Sequence, residues 1–148
     1  MKRFEFSLKK LLGFRQQVLK KEKNDLANLR KQQHIIIEEK LSITEKKKQR
    51  NCELIAQINK GINPQHMAFH KNYIESLNDQ IWDCLGQIEL LDIKIQKQLE
   101  LIIEITKEID SLEKLESRQR EEYNKIEQKQ NELFIEEFVS HKSFLEVK

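Results

Sequence analysis

The chain has one proline, Pro64, and only three glycines, Gly13, Gly61 and Gly86, in 148 residues. Many short strands would need far more turn residues than that, so long uninterrupted helices are expected instead. Aromatic residues make up 7% and hydrophobic residues 38%, against 35% charged, with a mean hydropathy of −0.72. A thick globular core is out of reach of such a composition, whereas a narrow apolar seam is not. Long apolar runs are missing too. The stretch LELIIEITKEI is broken by three Glu and a Lys, so no membrane span is expected. At the start, MKRFEFSLKKLLGF is interrupted by Glu5, Lys9 and Lys10, which argues against a secretion signal and for a cytoplasmic protein. Cys52 and Cys84 form no CxxC motif and read as reduced thiols.

The charge is present but unevenly placed. Residues 1–50 carry 15 Lys/Arg against 6 Asp/Glu, a net of +9, and residues 51–148 carry 12 against 19, a net of −7. The two parts should attract each other. Between them lies Gly61-Ile62-Asn63-Pro64, with Gly just past a helix end, Asn as the next N-cap and Pro at the first helical position. The expected fold is all-α: a single coiled-coil domain over residues 1–148. Helix one spans about 7–60, the turn 61–63 and helix two about 64–142, forming an antiparallel coiled-coil hairpin with a protruding C-terminal helix.

A strict 3,4 count from Ile74 meets Leu77, Ile81, Cys84, Ile88, Leu91, Ile95, Gln98, Ile102, Ile105, Ile109 and Leu112, so 11 of 12 positions are apolar, a strong heptad signal. From Glu116 to Phe144 only 4 of 9 are, and the seam fades. Helix one is less regular. Leu12, Leu19, Leu26, Leu29, Ile36 and Ile43 keep one register while Ile37, Leu41, Ile55 and Ile58 prefer another, which suggests a stutter. With reversal near Ile62, helix two should lose its partner near Ser117, leaving about 25 residues, or roughly 37 Å of helix, to project. The same pairing would bring the basic run at residues 45–50 near Glu75 and Asp79.

Sites of chemistry are scarce. His66 and His70 stand one helical turn apart and Cys52 could lie opposite, but no fourth ligand is evident and no metal is expected. Carboxylates on a two-helix rod would face water with no pocket to orient them, and neither GxxxxGK[ST] nor GxGxxG occurs, so no catalysis and no cofactor are expected. Basic residues are mixed with acids, which argues against nucleic-acid binding. Phe4, Phe6, Leu8, Leu11, Leu12 and Phe14 beside Lys9 and Lys10 are a weak basis for membrane insertion. One stripe stands out. Ile74, Leu77 and Ile81 would face Thr44, Lys47, Lys48 and Asn51, with Tyr73 and Trp82 alongside. It is either an uncovered apolar stripe for a partner or is covered by lysine stems.

The pattern Phe4-x-Phe6-x-Leu8-x-x-Leu11-Leu12-x-x-Arg15 followed by Asp25-Leu26-Ala27 resembles the flagellar export protein family FliJ. Tyr73-Ile74-x-x-Leu77 after the turn, then Arg118, Tyr123 and Glu127-Gln128-Lys129-x-x-Glu132, match the family's later motifs in order. The resemblance covers nearly the whole chain, although Asn131 stands where the family often has an acid. It implies a coiled-coil stalk, similar to that of the rotary ATP synthase γ subunit, inserted in a hexameric export ATPase. It also implies contact with the export gate membrane protein and handling of unloaded export chaperones, at the cytoplasmic face of the inner membrane. Leu8, Leu12 and Arg15 would lie on the ATPase side, and Tyr73, Leu77, Gln80 and Cys84 on the gate side. The free chain would be a monomer. The alternatives are the equivalent injectisome stalk, or a homodimeric scaffold in which residues 61–64 form a kink.

Overall fold

The computed structural model describes residues 2–147, with side chains as far as Leu145. Two helices account for nearly all of it: α1, Lys9–Lys60, and α2, Pro64–Val147. Helix one therefore starts at Lys9 rather than about 7, and helix two runs past 142. Good helix formers with few β-branched runs and no internal proline allow such lengths.

The break uses three adjacent residues. Gly61 takes a left-handed backbone with φ of 88° and its N–H donates to the Ile58 carbonyl at 3.1 Å. A residue with a Cβ is strained there, so Gly ends α1. Asn63 then caps α2, its Oδ1 accepting from the Gln65 N–H at 3.0 Å, while Pro64 fills the first helical position, where no N–H is needed.

Contacts divide the chain into two compact units, each containing parts of both helices. In the unit Lys21–Ile102, α2 buries Leu77, Cys84, Leu91 and Ile95, and half-buries Ile74, Ile81, Ile88, Gln98 and Ile102. These are the positions of the 3,4 count. Opposite them α1 places Glu22, Leu26, Leu29, Gln33, Ile36, Lys40, Ile43, Lys47, Arg50 and Leu54, all buried or half-buried. Their spacing is an unbroken 3,4 series, so the expected stutter is absent. Ile37, Leu41, Ile55 and Ile58, which suggested it, are exposed. Polar residues hold the seam positions that the sequence pattern left vacant. Gln33 Nε2 donates to the Ile88 carbonyl at 3.2 Å and to Asp92 at 2.5 Å, and Gln98 Nε2 donates to the Glu22 carbonyl at 2.9 Å. Buried amides with such partners incur little desolvation loss. Arg50, at the end of the basic run 45–50, meets Tyr73, while among the described residues no ion pair reaches Glu75 or Asp79 and both are exposed.

In the unit Met1–Lys20 with Ile103–Lys148, Phe6 and Leu12 are buried with Ile105 and Ile109, and Phe4, Val18, Leu19, Leu112 and Leu115 pack around them. The cover of α2 does not stop at Ser117. Residues 2–6 precede α1 without regular secondary structure, and Phe4 meets the ring of Tyr123 with centroids 5.5 Å apart. The Tyr123 hydroxyl donates to the Lys2 carbonyl. Glu116, Gln119, Tyr123 and Glu127 are half-buried, and α2 becomes bare only beyond Glu127. From Gln128 to Leu145 every side chain is exposed, including Phe134, Ile135 and Phe138.

Candidate interaction surfaces

The residues that the resemblance assigns to the ATPase side share one unit but not one role. Leu8 is exposed just ahead of α1, its carbonyl accepting from the Leu12 N–H at 2.9 Å. Leu12 points inward and is 8% exposed among Phe6, Ile105 and Ile109. Arg15 is half-buried, and its Nε lies 2.9 Å from Glu108 Oε2. Beside that ion pair Leu11, Lys107, Ser111 and Leu112 complete a shallow cleft of about 370 Å³. A second, wider depression of about 1040 Å³ lies between residues 3–10 and Glu116 and Arg120. Arg120 holds its guanidinium 4.9 Å from the Phe4 ring centroid, so Arg120 and Tyr123, one turn apart on α2, both meet Phe4.

The residues assigned to the gate side divide the same way. Leu77, 4% exposed, and Cys84, 6% exposed, are core residues with Ile43, against which Ile36 and Ile81 pack. Tyr73 and Gln80 are exposed, and the Arg50 guanidinium sits 4.3 Å from the Tyr73 ring centroid. Of the two readings of the stripe at Ile74, Leu77 and Ile81, the covered one fits: Leu77 is buried and Ile74 and Ile81 are half-buried. The reason is register: α1 presents Ile43 and the half-buried Lys47 and Arg50 there, while Thr44 and Lys48 face water. Burial pushes the Cys84 thiol up, with Glu39 and Asp83 adding to the shift and Lys40 opposing it. A thiol so held is a poor nucleophile.

His70 is buried and its Nδ1 has no hydrogen-bond partner, whereas His66 and Cys52 are exposed. Among the described residues no three His, Cys, Asp or Glu side chains gather as metal ligands would. No described helix is long and apolar enough to cross a membrane. Neither a family model, nor a curated protein, nor a solved structure matches this chain.

Two exposed apolar surfaces lie off the seam. One is on the bare end of α2, with Phe134 and Phe138 one turn apart at 69% and 62% exposure. The other is the outward side of α2 around Trp82, 72% exposed, with Leu90 and Ile93. The signal was available: these residues fall off the 3,4 count, so a helix that buries Ile81, Cys84 and Ile88 must turn them to solvent.

Proposed function

We propose that this chain is an antiparallel two-helix coiled coil that serves as a stalk in a type III export apparatus of the flagellar kind. In this reading it binds a hexameric export ATPase with the unit that contains both chain ends, and the export gate membrane protein with the unit that contains the turn. Its bare helical end handles export chaperones. The observation that carries the reading is the order of contacts. Arg50 meets Tyr73, Gln33 meets Asp92, Glu22 meets Gln98, Arg15 meets Glu108 and Phe4 meets Tyr123. Residues earlier in the chain meet residues later in α2, an order that supports a chain doubled back at Gly61. The motif resemblance to the FliJ family supplies the pathway.

On this reading the stalk makes and breaks no covalent bonds. It couples ATP turnover in a separate enzyme to opening of the gate by shape and contact, at the cytoplasmic face of the inner membrane. The outward residues Leu8, Arg15, Tyr73 and Gln80 supply contacts, and Leu12, Leu77 and Cys84 act by holding the helices that present them. The test is hexamer formation and ATP turnover by the cognate ATPase with and without the purified chain. Both should rise on addition; no binding and no change would reject the stalk role.

A further inference from the structure

Gly86 sits in the middle of α2, where glycine costs about 0.5–1 kcal/mol relative to alanine. No contact among the described residues requires it. A Cβ built there meets no atom within 4 Å, and the residue is exposed. One turn before it stands Trp82 and one turn after it Leu90, 72% and 62% exposed, with Ile93 beyond at 49%. Bare backbone flanked by large apolar side chains forms a shallow dimple on the side of α2 turned away from Ile81, Cys84 and Ile88.

Between Lys71 and Lys94 the charge on α2 is of one sign. Residues 72–93 include five Asp or Glu and no Lys or Arg. Asp79, Asp83 and Glu89 are exposed there, and no ion pair reaches them among the described residues. The basic arm does not neutralise this face. A second copy docking through the same patch would set these acids against their own counterparts, which disfavours self-pairing. An anionic lipid surface or a nucleic acid is repelled for the same reason.

We infer that the Trp82–Gly86–Leu90 face is a docking site for a basic amphipathic helix of a partner protein. An apolar ridge of that helix packs over Gly86 against Trp82, and its Lys or Arg residues meet Asp79, Asp83 and Glu89. Helix-on-helix docking of this kind uses apolar anchors spaced i, i+3, i+4 and i+7, with flanking charge setting partner choice. The face is separate from that of Tyr73 and Gln80 and does not depend on the stalk reading.

Trp82 is the only tryptophan, so its fluorescence reports the site directly in the full chain. The probe is a synthetic peptide with leucines at i, i+3, i+4 and i+7 and lysines elsewhere; its control carries the same leucines with glutamates. The lysine peptide should shift Trp82 emission to the blue and saturate, and the glutamate peptide should not. Reversing two charges together, Asp79→Lys with Asp83→Lys, should weaken binding about tenfold. Gly86→Leu should abolish binding. Gly86→Ala should raise the melting temperature of the free chain yet weaken binding, a split that a purely structural glycine does not give. Circular dichroism checks that each variant remains helical. Equal binding of both peptides, no shift with either, or unchanged binding by the Gly86 and Asp79/Asp83 variants would overturn the site. Concentration-dependent dimerisation with blue-shifted Trp82 would overturn it as well, by showing that a second copy covers the face.

Discussion

At the scale of single residues, His70 carries a testable cost. Its Nδ1 is buried without a partner, and a buried polar atom left unpaired destabilises the fold by about 1–3 kcal/mol. His70→Leu should therefore raise the melting temperature, by an amount equivalent to about 1 kcal/mol after repacking. A thermal melt showing a decrease would mean that the imidazole has a role in the fold. The two cysteines should separate kinetically. Cys52 is exposed and Cys84 buried with its thiol pushed up, so a thiol reagent should modify Cys52 at once and Cys84 only on unfolding. The pH dependence follows. A thiol harder to ionise when folded leaves the unfolded chain binding fewer protons in alkali, so stability falls as pH rises through the ordinary thiol range, about 8.5 and above. That alkaline loss should be smaller in Cys84→Ala than in the unchanged chain, each melted across the same pH series.

At the scale of elements, the turn and the seams differ in how openly the sequence displays them. Gly61 with its φ of 88° makes the break specific: Gly61→Ala should destabilise by about 1 kcal/mol, seen as an earlier urea midpoint with an unchanged slope. That break was legible because glycine, asparagine and proline each mark a distinct backbone requirement. The α2 seam was legible because its buried positions are almost all Ile or Leu. The α1 seam was not, because Glu22, Gln33, Lys40, Lys47 and Arg50 occupy positions that a hydrophobicity count reads as gaps. Gln33 donates its amide N–H to the Ile88 carbonyl and the Glu22 carbonyl accepts from Gln98, contacts that a pattern of residue types cannot reveal. For the same reason the sequence alone left the stripe at Ile74 and Leu77 either open or covered by lysine stems. The packing of residues 2–6 on α2 was hidden for another reason: the segment has no helical period, and its fit depends on Phe4 reaching Tyr123 from far along the chain.

At the scale of the whole molecule, light scattering should give a mass of about 17.8 kDa, the value for one chain, because the apolar seam of each unit is filled from within. A dimer mass would favour a scaffold over a stalk. The helices are unequal, 52 residues against 84, and this inequality governs how the end of α2 behaves. An isolated peptide of that composition must nucleate its own first turn, an event with odds of about one in a thousand. Here the turns up to Tyr123 are already wound, so each later residue needs only to propagate. Such a segment unravels from its far tip inward, one hydrogen bond at a time. Amide exchange should accordingly slow step by step from Leu145 back toward Tyr123, the gradient expected of a half-zipped fastener and not of a hinged arm.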